Sequence, residues 1–233
     1  RCVSMDCPAQ TKERLLHWVS RGCMDVDGLG EEILDKMLEA GLVRDVGDFY
    51  KLSIEDIATL DTGRFYSAAN AKRGIEAGDP IPVGAKTATK IHDELEKSKQ
   101  QPLGRVLFAL GIRHVGKSVG EVIAAKFPSI DALIAAQEED IAEIDGIGPK
   151  IAASVKQFLA VPENLEVIER LRSAGFPLED NAGDAAARAA EETGVDASLA
   201  ESQPLAGLTF VLTGTLENRT RDEAGAALKA LGA

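Results

Sequence analysis

The sequence has few aromatic residues, few cysteines and no long hydrophobic run. Aromatic side chains make up 4% of its 233 residues, although 45% of the residues are hydrophobic. The abundance of small aliphatic residues predicts closely packed helices rather than a sheet-rich fold. No stretch of about 18 apolar residues is present, and the N-terminus lacks the basic-then-apolar pattern of a signal peptide. We therefore predict a mainly α-helical protein that resides in the cytoplasm and has no membrane partner.

Basic residues are outnumbered, with 26 Lys and Arg against 38 Asp and Glu and a formal net charge of −12. This balance argues against indiscriminate nucleic-acid binding, because phosphates must be neutralised by locally placed cations. The charge is unevenly distributed, however. Residues 177–204 hold seven acids and one base (1 − 7 = −6), whereas residues 86–126 hold eight bases and four acids (8 − 4 = +4). A basic region therefore lies within an acidic chain, and residues 177–204 have the composition of an acidic linker.

Residues 23–176 repeat one pattern, in which an apolar helix, a short glycine turn and a second apolar helix follow each other. The turn reads Gly28-Leu29-Gly30 in the first copy and Gly146-Ile147-Gly148 in the fourth, each before a stretch with apolar spacings of three and four residues. The third copy reads His114-Val115-Gly116, with His114 where the others have glycine. The pattern predicts a tandem helix-hairpin-helix domain.

A second, weaker copy of the pattern contains Gly84. Its expected leading helix, residues 54–60, is separated from this glycine by residues 61–81, which are rich in Ala and Gly. We interpret residues 61–81 as an inserted loop.

A glycine turn at the start of a helix exposes successive backbone N–H groups to an anion, and the helix dipole favours negative charge there. Paired hairpins can hold both strands of a duplex across the minor groove without reading base identity. A single such turn is more simply explained as a tight connection between helices, but several copies favour DNA binding. The candidate DNA-binding residues are Gly28, Gly30, Gly84, Lys86, Arg113, His114, Gly116, Lys117, Gly146, Gly148 and Lys150.

The charged residues beside the turns differ between the copies. Lys86, Lys117 and Lys150 follow their turns and would add positive charge, although a solvated surface role is equally open for each of them. Glu31 and Glu32 follow the first turn. The first hairpin is therefore the strongest candidate for a purely structural role.

Cys2 and Cys7 have four residues between them, and thiolates at this spacing can bind Zn²⁺, but a closed structural site needs four ligands. His17 offers a third ligand, although a packing or surface role is the simpler interpretation. Cys23 is predicted to be a small buried hydrophobic residue. The sequence contains no P-loop, no nucleophile elbow and no Lys-x-Asp-Gly motif of the kind that forms a lysyl-AMP adduct. We therefore expect no catalytic residues in this chain.

The C-terminal residues 205–233 have a different pattern. A short strand is predicted at Leu208-Thr209-Phe210-Val211-Leu212, followed by a turn at Thr213-Gly214 and a helix over residues 221–231. This is the first βα step of an α/β module. The chain begins with Arg1 and ends within an unfinished pattern, so we interpret it as a piece of a longer protein.

The combination of these motifs resembles NAD-dependent bacterial DNA ligases over essentially the whole chain. The resemblance is carried by Cys2-x4-Cys7-Pro8-Ala9-Gln10, by Met24-Asp25-Val26-Asp27-Gly28-Leu29-Gly30 and by Ala109-Leu110-Gly111-Ile112-Arg113-His114-Val115-Gly116. It implies the C-terminal half of a four-cysteine zinc finger at residues 1–22, with Cys2 and Cys7 as its third and fourth ligands. It also implies a RuvA domain 2-like helix-hairpin-helix domain at 23–176 and the start of a BRCT domain at 205–233.

The same resemblance implies the activity of the longer protein. Such a ligase would seal nicks in double-stranded DNA during replication and repair, with NAD⁺ as the AMP donor and Mg²⁺ for the chemistry, both bound outside this chain. The helix-hairpin-helix domain would grip nicked duplex on both sides of the break, in a protein expected to be monomeric and nucleoid-associated.

Two other interpretations stay open. Residues 24–174 also fit a helix-hairpin-helix module of another DNA-repair protein, which would not explain the cysteine pair or the final βα step. Alternatively, the hairpins are only turns in a protein-interaction scaffold whose acidic surfaces contact basic partners. The scaffold hypothesis predicts no DNA binding and no effect of changing the hairpin glycines.

Overall fold

The computed structural model of the chain describes residues 10–67 and 75–179, and scattered residues between 204 and 231. The chain divides into two compact units, residues 1–179 and residues 180–233. The division falls within the predicted acidic linker.

The described part of the first unit consists of α-helices, a short 3₁₀ helix and a two-stranded sheet, so the mainly α prediction is confirmed. The 3₁₀ helix spans Asp48–Lys51. The other elements are α1 (Thr11–Val19), α2 (Glu31–Glu39), α3 (Ile54–Ala58), β1 (Asp61–Phe65), β2 (Pro80–Pro82), α4 (Ala85–Ser98), α5 (Leu103–Ala109), α6 (Lys117–Lys126), α7 (Ile130–Ala135), α8 (Glu138–Ala142), α9 (Pro149–Leu159) and α10 (Pro162–Ser173).

Helices that follow each other in the chain pack as four hairpins. The pairs are α1 with α2, α3 with α4, α5 with α6, and α8 with α9. The predicted tandem helix-hairpin-helix architecture is therefore confirmed. Pro149 occupies the first turn of α9, as predicted, where its missing N–H leaves no intrahelical bond unmade.

The interpretation of residues 61–81 as a loop is wrong where the structure has strands, at residues 61–65 and 80–81, and it agrees with the irregular residues 66–67 and 75–79. Strands β1 and β2 pair antiparallel, with Arg64 opposite Ile81 and Phe65 opposite Pro80. The Thr62 hydroxyl donates a hydrogen bond of 2.6 Å to the Ile81 carbonyl. The pairing is short and irregular, and β2 contains two prolines that an edge strand tolerates, which is why no clear alternation marks it in the sequence. We call this pair of strands the inserted ribbon.

A cluster of aromatic rings joins distant parts of the first unit. Trp18 on α1 is fully buried, and its indole N–H donates a 3.0 Å hydrogen bond to the Tyr50 hydroxyl. The ring centroid of Phe176 lies 6.0 Å from that of Trp18 and 4.9 Å from that of Tyr50. Helix α1 therefore shares one core with residues far along the chain. Cys23 is also fully buried, which confirms the prediction of a small hydrophobic role.

We expect Tyr50→Phe to lower the free energy of unfolding by about 1–2 kcal/mol, because the buried Trp18 N–H loses its acceptor. Burial raises the pKa of Tyr50 to about 12, so the folded state keeps the phenol proton that the unfolded chain releases near pH 10. The wild-type stability contributed by this proton is present below about pH 10 and is lost as the pH rises towards about 12. Urea denaturation followed by Trp18 fluorescence at neutral and alkaline pH measures both effects.

The matched control for this prediction is Tyr66→Phe, because Tyr66 is the only other tyrosine and lies at the end of the inserted ribbon. An unchanged urea midpoint for Tyr50→Phe at neutral pH would contradict the assignment of a stabilising hydrogen bond.

Helix α10 ties the fourth hairpin to the rest of the first unit. The Arg172 guanidinium donates two hydrogen bonds to Asp131 on α7, at 2.8 and 3.0 Å. Arg170 forms a 2.7 Å ion pair with Asp45, whose side chain is buried, and burial raises the pKa of Asp45. The buried Asn164 side chain donates a 2.8 Å hydrogen bond to the Phe158 carbonyl at the end of α9.

The second unit, residues 180–233, is described only at a few positions. Leu208, Phe210 and Val211 belong to the predicted strand, but none of the three lies in a strand. The prediction is wrong at these positions: a strand requires hydrogen bonds to a neighbouring strand, whereas the Leu208 N–H donates locally to the Leu205 carbonyl, at 3.1 Å. Ala224, Gly225, Ala227 and Leu228 are helical, in agreement with the helix predicted for residues 221–231.

Among the described residues, no helix combines the length and the apolar character needed to cross a membrane.

Candidate nucleic-acid interface

Three of the four hairpins contain the same tight turn. The backbone N–H of the fourth turn residue donates to the carbonyl of the first, from Leu29 to Val26 (3.4 Å), from Val115 to Ile112 (3.0 Å) and from Ile147 to Ile144 (2.9 Å). The third turn residue has a positive φ, at 93° for Gly28, 67° for His114 and 79° for Gly146. This is the φ pattern of a type II turn, which favours glycine at the third position. His114 adopts the same left-handed backbone at a steric cost that glycine avoids.

A buried apolar residue anchors each of these turns. Leu29, Val115 and Ile147 are the fourth residues of their turns, and their side chains are at most 5% exposed. The turn backbone is thereby held at the surface, directly before the following helix.

The residue that directly follows each turn is the N-cap of the next helix. Gly30, Gly116 and Gly148 cap α2, α6 and α9 with ordinary extended backbone, and none has a side-chain cap. A Cβ added to any of the three would meet no atom within 4 Å. The fold therefore gives no internal reason for glycine at these positions. Without a side chain, the first backbone N–H groups of each helix are accessible from outside.

The second hairpin differs from the other three. Its N-cap, Gly84, has φ 85° and ψ 152°, and the inserted ribbon takes the place of a tight turn. The base of the ribbon is closed by hydrogen bonds from Val83 N–H to the Leu60 carbonyl (2.9 Å) and from Gly84 N–H to the Ala58 carbonyl (3.0 Å). Helices α3 and α4 still pack together, so this copy is a helix-hairpin-helix whose turn carries an insertion.

The four predicted Lys and Arg side chains lie on the surface, three beside the tight turns and Lys86 after the N-cap of the second hairpin. Lys117 begins α6, Lys150 and Lys86 lie in the first turns of α9 and α4, and Arg113 is the second residue of the third turn. All four are exposed. Within the described residues, their side chains make no ion pair or hydrogen bond. Each is therefore available to an anion outside the first unit.

The predicted zinc ligands are only partly described. Cys2 and Cys7 lie outside the described residues. His17 packs edge-to-face on Phe108, with ring centroids 4.8 Å apart, and its Nε2 lies 3.0 Å from the Phe108 carbonyl oxygen. In residues 10–67 and 75–179, no group of three or more His, Cys, Asp and Glu side chains is arranged to hold a metal ion. The contacts of His17 are those of a packed side chain.

Sequence reasoning missed the ion pair between Lys90 on α4 and Asp27 in the first turn, which links the first and second hairpins. The two residues are 63 positions apart in the chain. No local pattern could have connected them.

The geometry defines a class of protein, and the comparisons with known proteins agree with it. A family model described as a helix-hairpin-helix motif matches residues 105–168, which hold the third hairpin and the fourth. Residues 105–168 are thus similar to helix-hairpin-helix motifs, in agreement with the packing of the helices in this region.

The similar proteins are DNA ligases. The DNA ligase of Synechococcus sp. (strain CC9605) is 41% identical over 235 aligned residues, covering 100% of this chain and 31% of the relative. The DNA ligase of Carboxydothermus hydrogenoformans is 40% identical, covering 100% of this chain and 30% of the relative. Over its whole length the chain is thus similar to DNA ligases, in agreement with the resemblance seen in its motifs. It spans less than a third of the length of these relatives.

Proposed function

We propose that this chain is the duplex-DNA-binding region of a DNA ligase and that the third and fourth hairpins hold the sugar–phosphate backbone. The observation that carries the proposal is the pair of N-cap glycines, Gly116 and Gly148. Neither is required by the internal packing, and each lies beside exposed cations that have no side-chain partner within the described residues. A phosphate needs this combination of open backbone N–H donors and positive charge.

Two other glycines in the same region, unlike Gly116 and Gly148, are required by the internal packing. Gly104 and Gly120 are buried where α5 crosses α6, and a Cβ on either would clash with the backbone of the facing helix. Those glycines are explained by packing. At Gly116 and Gly148 the space lies outside the protein, which supports an external ligand approaching the helix N-termini.

Backbone contacts of this kind position a duplex but carry no sequence information. We therefore propose sequence-independent binding to double-stranded DNA. His114 and Gly146 would shape the two turns, while Arg113, Lys117 and Lys150 would neutralise phosphates. Gly84 and Lys86 of the second hairpin would add a further contact.

The finer assignments rest on the resemblance to NAD-dependent bacterial DNA ligases. We propose that the longer protein seals nicks with NAD⁺ as the AMP donor and Mg²⁺ as the catalytic metal, both outside this chain. Cys2 and Cys7 would supply two of the four thiolates of a zinc finger, and residues 205–233 would begin a BRCT domain. Within the proposal, the role of the present chain is to hold nicked duplex, not to perform the chemistry.

The proposal is tested by Gly116→Asp and Gly148→Asp. Aspartate is a favourable N-cap, so each change should leave the melting temperature unchanged or raise it. The carboxylate would occupy the backbone N–H donors and repel phosphate. We expect the affinity for nicked duplex to fall by about tenfold or more for each variant, as each loses roughly one phosphate contact at about 0.1 M salt.

The measurement is fluorescence anisotropy of labelled nicked and intact duplex across a salt series, paired with thermal unfolding of each variant. The alternative hypothesis is the protein-interaction scaffold, which the chain's net charge of −12 favours. Absence of salt-sensitive binding by the wild-type chain, or full affinity in both variants, would reject the proposal in favour of the scaffold.

A further inference from the structure

The first hairpin carries a charge pattern that the third hairpin lacks. Its second turn residue and the first two turns of α2 hold four carboxylates: Asp27, Glu31, Glu32 and Asp35. Counted from the N-cap glycine, the same positions in the third hairpin are Arg113, Lys117, Ser118 and Glu121. The two hairpins share backbone geometry, but the first presents four negative charges where the third has two positive charges and one negative charge.

Every one of these four carboxylates is paired with a base from another element of the first unit. Lys12 on α1 lies 2.8 Å from both Glu31 and Asp35. Arg64 on the inserted ribbon lies 2.7 Å from Glu32, and Lys90 on α4 contacts Asp27. Through these acids, the turn and α2 of the first hairpin are therefore joined to α1 within the hairpin, and to α4 and the ribbon outside it.

The second pair of hairpins lacks the corresponding link. Lys90 is the sixth residue after the N-cap Gly84, and the sixth residue after Gly148 is Ser154. The equivalents of Asp27 and Lys90 are thus Arg113 and Ser154, which cannot form an ion pair with each other. Both line an open cavity of about 570 Å³. Within the described residues Arg113 has no ion-pair partner, whereas Lys90 is paired with Asp27.

We propose that the first hairpin is an internal brace that makes no contact with the DNA backbone, and that the inserted ribbon forms part of this brace. The inference rests on the proposed function and divides the four hairpins by role. Phosphate approaching α2 meets four carboxylates, and the bases that could attract it are already engaged. The ion pair of Arg64 with Glu32 connects the ribbon to α2, and a Cβ added at Gly63 would lie 3.3 Å from the Lys36 side chain, which gives residues 61–65 a structural role.

The test compares Gly30→Asp with Gly116→Asp in the full 233-residue chain. The two glycines are matched, since both are N-caps with φ near −90° and open space around a new Cβ. On labelled nicked duplex at about 0.15 M salt, we expect Gly116→Asp to weaken binding by about tenfold and Gly30→Asp to change it less than about twofold. Charges beyond the Debye length of about 8 Å are largely screened at this salt concentration.

The outcomes separate the two proposals. Equal weakening by Gly30→Asp and Gly116→Asp would overturn the brace and leave the proposed function intact. Full affinity in both variants would overturn the proposed function and the brace with it. Amide hydrogen exchange gives an independent readout, because added nicked duplex should protect the N–H groups of Ser118 and Val119 but not those of Glu32 and Ile33. Protection of Glu32 and Ile33 by DNA would also overturn the brace.

Discussion

Replacing Gly120 with alanine is expected to destabilise the first unit by about 3 kcal/mol or more, the upper part of the range for overpacking. A Cβ at Gly120 would lie 2.3 Å from the Gly104 carbonyl oxygen, which is backbone and cannot rotate away. Helices α5 and α6 would have to separate, and the buried contacts of Leu107 and Ile123 would loosen with them. Urea denaturation followed by the fluorescence of Trp18, the single tryptophan, measures the loss.

The control for Gly120→Ala is Gly116→Ala, four residues earlier. Gly116 has ordinary extended backbone and no atom within 4 Å of a new Cβ. Alanine is a poorer N-cap than glycine, but it also reduces the entropy of the unfolded chain, and the two effects act in opposite directions. We therefore expect the free energy of unfolding to change by less than about 1 kcal/mol. Equal urea midpoints for the two variants would refute the close approach of α5 and α6.

Removing three exposed cations beside the third and fourth turns together is expected to have the largest effect on DNA binding. For the triple variant Arg113→Ala, Lys117→Ala, Lys150→Ala, the negative slope of log K against log salt should become shallower by about 2.7, or about 0.9 for each lost phosphate contact. At about 0.1 M salt this corresponds to a loss of affinity of roughly 500-fold. These side chains make no ion pair or hydrogen bond within the described residues, so the melting temperature should stay close to that of the wild type.

A matched triple variant, Lys36→Ala, Lys51→Ala, Lys97→Ala, removes the same total charge. Each of these lysines forms an ion pair with an acid three residues away in sequence. If DNA binding depended only on net charge, both triple variants would lose the same affinity. For the matched variant we expect the slope of log K against log salt to change by less than about 1. A similar loss in both would argue against a localised interface at the third and fourth hairpins.

The local features of the fold could be predicted because they depend on neighbours in the chain. The spacing of apolar residues located α2, α4, α6 and α9, and the glycine turns marked where helices meet. The exposed cations beside the turns followed from the same local pattern. The inserted ribbon could not be predicted in this way, because its short strands pair across a long connection and β2 contains two prolines.

The sequence by itself determined that this protein is built from glycine hairpins and which glycines and cations stand at the helix starts. Those properties depend on φ preferences, helix periodicity and spacing within a few residues. The tertiary structure alone decided which glycines serve packing and which face outward, since Gly104 and Gly120 look like any other glycines until α5 crosses α6. It also decided that Asp27 meets Lys90 and that Glu32 meets Arg64, because ion pairs between distant residues form only after the helices have packed.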